Sequence, residues 1–568
     1  MMFPSTMRAW RGWLPWVLAG FLFAFAVFLR FQQIGAQWLT DDEWHAVYKA
    51  LSGASYAEIA VSLGQADFSV PQALVYKWLA AHGGVDEFGM RLPMLLMGLA
   101  LVVGGGWWAW RNFGAAAGLG FMGLLAISPA LVYYSRTARP YAFSVALGWG
   151  AVLALARWRD EQGARWAWVY LFAAVLACWL HMAAAPFVLA PLGWIAACDA
   201  WRAWRRRDWR RLRASWLLGL GTGAAVAALA GLPMLLDPQT LGRRVGKDVP
   251  WLGTYIGGWF SWLGVDSRVL AGLCLLLAVP GAIELRRRRP DVFHMALAGI
   301  LALLAAIYAV RPASVYLTIV FSRYLLVIVP PLLLCMVLGA QWGGRRLHAP
   351  GVAAAAFVLL SAAMLFDGPA LSIVARPNNF SLHWWYQFDY RVRHNPVRTV
   401  FMHMPESPFW RRLAAMPPES VRLAVAGHSV LGFSVPDVRW QAIHRQPVWH
   451  TQLLGYCDAG QFPAEAGLPA SGFRLGNAVS LADPASLRRA GIDYIVFNLT
   501  PRTTDLAEIQ QRLVGHALSA EENAFMALLR PPMASCIDRV TREYGPPEYV
   551  DETVVAFRLS PETWRTKQ

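Results

Sequence analysis

The sequence predicts an α-helical polytopic membrane protein that carries a C-terminal soluble α/β domain. Three observations point there. Apolar runs of about 18–20 residues, the length that crosses a bilayer as a helix, recur through the first two thirds of the chain. Hydrophobic residues make up 57% of the 568 residues and charged ones only 15%, with a mean hydropathy of +0.38. From about residue 370 the long apolar runs stop, and shorter segments of strand and helix character alternate instead.

The candidate spans begin with Trp13–Phe31, Leu92–Trp110, Gly114–Tyr134 and Tyr141–Ala156. The first of these is long enough to cross, and no small-residue cleavage site follows it, so it reads as a span rather than a removable signal. The stretch from Trp166 to Cys198 is too long for one helix and is interrupted by His181, Pro186 and Pro191. It reads as two spans joined by a tight turn. Ser215–Leu236, Val269–Leu285, Val292–Val310, Tyr324–Trp342 and Gly351–Phe366 complete a set of about 11 spans.

With that count the loops alternate between two sides. One side holds the N-terminal tail, Arg111, the loop Arg157–Arg165, the segment WRAWRRRDWRRLR from Trp201 to Arg213, Arg286–Arg289 and Arg345–Arg346. These short segments carry most of the formal charge of +16. The positive-inside rule puts them in the cytoplasm, so the first long loop (32–91) and everything after residue 367 face outward. Merging the two spans of Trp166–Cys198 would turn the later Arg-rich loops outward, so the charge pattern supports the split. Basic charge placed this way reflects topology and does not imply a nucleic-acid partner. The 29 Trp fit a protein in which many helix ends meet lipid headgroups.

Residues 1–368 thus form the expected membrane domain, and residues 369–568 the soluble one. Within the first outer loop, His45–Val61 and Gln72–Ala81 have the apolar spacing of amphipathic helices that could lie along the membrane surface. In the tail, Arg398–Met404, Val421–Ala426, Asp493–Asn498 and Val554–Leu559 read as strands, and Pro484–Ala490 and Pro501–Leu518 as helices. No Gly-rich phosphate loop, nucleophile elbow or metal-ligand spacing occurs there. His403, His428, His444 and His450 are scattered and read as surface or hydrogen-bonded residues. Four of the six Cys, Cys178, Cys198, Cys274 and Cys335, lie in or beside apolar runs as small core residues. The other two, Cys457 and Cys536, fall in a domain expected in an oxidising compartment, and are expected to pair.

The first outer loop opens with WLTDDEWHAVY. Asp41, Asp42 and Glu43 follow the first apolar run directly, and charges so close together cannot lie in hydrocarbon, so they mark a membrane–water boundary. Solvation alone accounts for acids at such a place. A carboxylate there can also accept a proton from a substrate hydroxyl.

Four stretches read together carry a resemblance: TDDEW at Thr40–Trp44, EFGMRLPMLLMG at Glu87–Gly98, SPALVYYSRTARPYAF at Ser128–Phe143 and FSRYLLVIVPPLLL at Phe321–Leu334. In order and placement they resemble the GT-C superfamily of membrane glycosyltransferases. Within it they are similar to the bacterial relatives of dolichyl-phosphate-mannose protein mannosyltransferases and of the lipid A aminoarabinose transferase. The resemblance spans roughly residues 10–340. It implies a GT-C-like fold in a bacterial inner membrane. It also implies transfer of a sugar, with inversion, from a polyprenyl-phosphate donor to an envelope glycan, lipid or protein acceptor. Asp42 matches the family's base, with Asp41 and Glu43 beside it. Arg139 and Tyr141, and Arg323 and Tyr324, match residues expected to bind the donor phosphate. Arg suits that task because its planar fork stays charged and can hold phosphate through two N–H groups.

The sequence departs from the family twice. Relatives commonly carry an acid two residues before the Arg of the RPY stretch, where this chain has Thr137. They often carry His-Pro-Pro in the first loop, where this chain has Ser69, Val70 and Pro71. Asp67, just before that change, is a candidate accessory acid. No cofactor is required by the pattern, and a divalent metal remains open. Two other classes stay in view: a non-catalytic relative that binds a lipid-linked glycan, and a transporter or flippase. The latter would carry ionisable groups within its spans. The spans here hold no acid well inside, only His181 and His294.

Overall fold

The structure is a computed structural model. It describes residues 5–32, 34, 43, 55–64, 68–82, 87–207, 209–238, 242, 245–246, 249–265, 267–313, 315–316, 318–367, 406–426, 440, 444, 446–453, 456–457, 478–499 and 533–559. The described residues fall into two compact units. One is drawn from 1–32, 57–72 and 91–374, and the other from 33–56, 73–90 and 375–568.

The first unit is helical throughout. Its helices are α1 (Ser5–Phe31), α2 (Tyr56–Val61, largely in this unit), the first turn of α3 (Val70–Ala81), α4 (Glu87–Phe113), α5 (Ala115–Ile127), α6 (Pro129–Ser135), α7 (Tyr141–Glu161), α8 (Ala164–Leu180), α9 (Ala185–Arg206), α10 (Trp209–Val226), α11 (Leu232–Leu236), α12 (Leu252–Leu263), α13 (Arg268–Arg288), α14 (Pro290–Val310), α15 (Thr318–Tyr324), α16 (Val329–Arg346) and α17 (Pro350–Ala362). Among the described residues, eight helices are long and apolar enough to cross a membrane, or nine if the bent pair α5 and α6 is one span. Ala164–Leu180 and Gly351–Asp367 are shorter apolar helices on the two remaining expected spans. The chain is thus a multi-pass membrane protein. The run from Trp166 to Cys198 breaks at His181, as its sequence predicts.

Burial sorts these helices. The apolar windows of α7 and of Leu326–Arg346 are 67% and 72% buried, so they are central. Those of Trp13–Phe31 and Trp209–Leu236 are 17% and 22% buried, and their exposed leucines and phenylalanines suit contact with lipid. Gly281 of α13 and Gly339 of α16 let this helix pair come together backbone to backbone: a Cβ on either would collide with a carbonyl oxygen of the other helix, that of Cys335 or of Leu277.

The Arg-rich loops meet at one end of this unit. Arg289 donates to Asp291, Asp160 and Asn112, and so joins the ends of α14, α7 and α4. Asp199 accepts from Arg159 at 3.1 Å, and Glu284 from Arg345 at 2.7 Å. Arg111, Arg165, Arg205 and Arg346 lie over the rings of Trp107, Trp166, Trp201 and Trp342. Pairing here uses the long Arg stems over aromatic faces, as in interfacial belts.

The second unit holds a six-stranded mixed sheet of order β3-β2-β1-β4-β6-β5, with β1 Leu423–Ala426, β2 Val448–Gln452, β3 Ala478–Ser480, β4 Tyr494–Asn498, β5 Tyr549–Val550 and β6 Val554–Arg558. Strands β3, β2, β1 and β4 are parallel, and β6 runs antiparallel to β4 and β5. Side chains alternate across it with period two. Leu423, Val425, Tyr494, Val496, Val554 and Ala556 pack on α18 (Pro408–Ala414) through Phe409, Trp410 and Leu413. Ala424, Ala426, Ile495, Phe497, Val555 and Phe557 face α19 (Pro484–Ala490) and α20 (Met533–Tyr544). Both faces are covered, which is why the strands read as continuous apolar runs. Cys457 and Cys536 form a disulfide across 79 residues, as expected. Closing such a loop stabilises by about 4–5 kcal/mol in the chain-entropy picture. Cys178 and Cys274 are buried; Cys198 and Cys335 are partly so. The expected strand 398–404 and helix 501–518 lie outside the described residues, as does most of 45–55.

Candidate functional site

The site begins where α5 ends. Pro129 has no N–H to continue the helix, so the chain bends by 57° between α5 and α6, with Pro129 starting the new helix. The bend leaves the last carbonyls of α5 without helical partners. Arg30, fully buried at the end of α1, donates to two of them, Ala126 O at 2.8 Å and Leu125 O at 3.1 Å. Arg136, just past α6 and equally buried, returns the favour at the end of α1. Its Nη1 donates to Leu29 O, Arg30 O and Gln32 O at 3.2, 2.9 and 3.0 Å. Neither arginine stands out in the sequence, where each reads as a cation at the end of an apolar run.

This crossed pair fixes the five-residue turn 136–140. Thr137 Oγ1 donates to Tyr133 O at 2.9 Å, and Gln72 of α3 donates to Ala138 O at 2.6 Å. Arg139 N donates to Thr137 O at 2.7 Å, and Tyr141 opens α7. Arg139 is thus held on a turn tied to α6, α3 and, through Arg136, α1.

Arg323 and Tyr324 end α15, a seven-residue helix. Its support is α12, a helix absent from the sequence expectations. Thr254 donates to Tyr316 O at 2.6 Å and Trp262 Nε1 to Ser322 O at 3.0 Å. Tyr255 and Phe321 meet edge to face at 4.8 Å. At the other end of α12, Gly264 adopts φ +68° and lies so close to Pro129 that a Cβ would collide with its ring. The bend and α15 are therefore braced by one element.

The aromatic rings converge between these supports. Tyr134 and Tyr141 lie 5.0 Å apart, Tyr141 and His181 5.3 Å, and His181 and Tyr324 6.0 Å. The Arg323 guanidinium lies over the Tyr141 ring at 5.9 Å. His181 is the extended residue between α8 and α9, at φ −154° and ψ 101°. Tyr170 of α8 donates to Val188 O at 2.9 Å and holds that turn shut. His181 keeps some accessible surface but sits deep among protein atoms. Sequence reasoning met His181 as an interruption of an apolar run and, with His294, as one of two histidines in the spans, and gave it no role in the site.

Of the expected site residues, the structure brings Tyr141, Arg323 and Tyr324 together around His181, and it sets Arg139 on the turn that leads into Tyr141. Glu43 is fully buried. Asp41, Asp42 and Asp67 lie outside the described residues. Among the described residues, no three His, Cys, Asp or Glu side chains gather as a metal-holding group. The Arg323 guanidinium over Tyr141, with a second arginine, Arg139, two residues before that ring, can hold an anionic headgroup on an apolar carrier beside these aromatic rings.

No protein-family model matches the sequence, and no curated protein does. Solved structures with similarity over most of the chain include ArnT from Cupriavidus metallidurans in the apo state, at TM-score 0.44 and 14% identity, covering 98% of this chain and 99% of that one. ArnT bound to undecaprenyl phosphate is similar at 0.42 and 14%, covering 97% and 99%. The Archaeoglobus fulgidus oligosaccharyltransferase complex with zinc and sulfate is similar at 0.42 and 11%, covering 90% and 70%.

Proposed function

We propose that the chain is a membrane glycosyltransferase of the GT-C type. It moves a sugar from a polyprenyl-phosphate carrier to an envelope glycolipid, polysaccharide or protein on the outer face of a bacterial inner membrane. The observation that carries this reading is the gathering of Tyr141, Arg323 and Tyr324 around one imidazole, with Arg139 on the turn that leads into Tyr141. These residues come from distant parts of the sequence, and they are the ones the family resemblance assigns to the donor phosphate.

In the proposed reaction, an acceptor hydroxyl attacks the anomeric carbon while the Asp42 carboxylate takes its proton. The bond from that carbon to the phosphate oxygen breaks on the opposite side, so the centre inverts. The electron pair leaves with the phosphate, which gains a second negative charge. Arg139 and Arg323 are fixed before that charge develops, so they favour the transition state over the bound donor.

Thr137 supports one other reading, a relative that binds the lipid-linked glycan without transferring it. Where relatives commonly carry an acid, this chain has a buried hydroxyl spent on the Tyr133 carbonyl. A reconstituted assay with a polyprenyl-phosphate-linked sugar separates the two. Wild-type protein should transfer, and Arg139→Ala and Arg323→Ala should each lower kcat about 10²–10³-fold, the usual loss for one preorganised charge-stabilising group. Lys at either site should restore only part, because an ammonium cannot reproduce the guanidinium fork. Binding of the donor with no transfer favours the other reading, and Ala variants that transfer normally contradict the proposed roles.

A further inference from the structure

We infer that His181 is a third donor to the lipid phosphate, completing an anion site with Arg139 and Arg323. The inference rests on the reading above and names a residue that neither the family resemblance nor any motif assigns.

Position is the first argument. His181 is the only residue between α8 and the short turn of 3₁₀ helix at Met182–Ala184, and its backbone is extended there. The main chain on both sides is satisfied: its N–H donates to Ala177 O and its carbonyl accepts from Ala184 N, both at 2.9 Å. The imidazole is not needed to close the turn, which Tyr170 and the Val188 carbonyl already hold. Its ring instead packs edge-on to Tyr141 and tilted against Tyr324, one residue from Arg323. Among the described residues no hydrogen bond reaches either ring nitrogen.

Charge is the second argument. Arg323 lies over the Tyr141 ring that packs on this imidazole, Arg139 stands two residues before Tyr141, and a cationic ring beside two guanidiniums would add repulsion. A neutral imidazole adds none, yet still presents an N–H. A structural residue packed between two tyrosines would be served as well by Phe or Leu, which carry no donor to leave unsatisfied. A bound phosphate offers more acceptor lone pairs than two arginines fill, and the imidazole N–H can take one of them. Hydrogen bonds to a charged acceptor are among the stronger ones, so the contact should be measurable in affinity.

The test uses the full-length protein in phosphatidylcholine nanodiscs and two probes of equal chain length, a polyprenyl phosphate and the corresponding polyprenol. His181→Phe keeps a ring between the tyrosines and removes the N–H. His181→Gln keeps an N–H donor. Wild type should prefer the phosphate. His181→Phe should lose about tenfold or more in phosphate affinity with polyprenol binding unchanged. His181→Gln should stay within about threefold of wild type. Phosphate affinity unchanged in His181→Phe overturns the inference and leaves the functional reading intact. Equal losses in both variants, or a parallel loss of polyprenol binding, overturn it as well, because they mark a packing role. A wild type that does not prefer phosphate over polyprenol overturns the functional reading itself.

Discussion

Arg30 and Arg136 illustrate how far a residue's role can lie from its sequence signature. Each is a buried cation, and each is stabilised by carbonyls that a bend or a helix end leaves open. The sequence offers only a cation at the end of an apolar run, which describes a snorkelling side chain equally well. His444 in the second unit is the reverse case. The sequence reads it as a surface or hydrogen-bonded residue, and the structure makes it a buried, hydrogen-bonded one: its Nδ1 accepts from Gln446 N at 3.0 Å, and its ring stacks on Trp410. Burial lowers its pKa from 6.5 to about 3. The unfolded chain therefore takes up the proton first. The stability this residue contributes is fully present above pH 6.5 and is lost as pH falls from there toward 3. The slope is about 1.4 kcal/mol per pH unit. Proteolysis of the C-terminal domain in the full-length protein should rise between about pH 7.5 and about pH 5. His444→Asn, which keeps an acceptor for Gln446, should show a smaller rise. An equal rise in both would remove His444 as the cause.

At the scale of elements, what was legible follows from how local the signal is. Apolar runs declare the spans, since length and composition alone decide whether a helix can cross. Strands β1, β4 and β6 were readable because burial on both faces leaves a short continuous apolar run. The pairing of Cys457 with Cys536 followed from their number and from the oxidising compartment expected for this domain. Helix α12 was not legible: its sequence LGTYIGGWFSWL is too short to span, and its role lies in its contacts with Tyr316, Ser322 and Pro129. The α13–α16 contact was likewise hidden, because Gly281 and Gly339 look like any glycines in a membrane helix. It yields a clean comparison. Gly339→Ala should lower the thermal midpoint in detergent, because its Cβ meets backbone that cannot move aside, and overpacking costs about 1–3 kcal/mol. Gly343→Ala in the same helix has nothing within 4 Å and should leave the midpoint unchanged or raise it slightly. Equal effects at both positions would show that the close contact does not govern stability.

At the scale of the molecule, the loop alternation inferred from Arg placement has a physical counterpart. Asn112, Asp160, Arg289 and Asp291 meet, and so do Arg159 and Asp199. All lie in segments assigned to one side. Tyr134, Tyr141, His181 and Tyr324 meet, and all lie at span ends or turns that open on the other. We propose that the first side is cytoplasmic, because the Arg excess lies there. Alkaline phosphatase fused after residue 370 should be active, and fused within Trp201–Arg213 inactive; the opposite pattern would invert the orientation. The candidate site was legible in part. The arginines and tyrosines came through the family resemblance, but their convergence on His181 depends on three chain segments brought together by packing, which no local pattern encodes.

The central claim is transfer of a lipid-linked sugar with a carboxylate of the first outer loop as base. Asp42→Asn tests it most directly, because the change keeps the side chain's shape and removes its charge and basicity. In proteoliposomes supplied with a polyprenyl-phosphate-linked sugar, the account predicts donor binding close to wild type and transfer reduced by about 10²–10⁴-fold, the range expected for loss of general-base help. Near-normal transfer by Asp42→Asn would contradict the assignment, and near-normal transfer by neutral variants at Asp41, Asp42, Glu43 and Asp67 alike would contradict the mechanism.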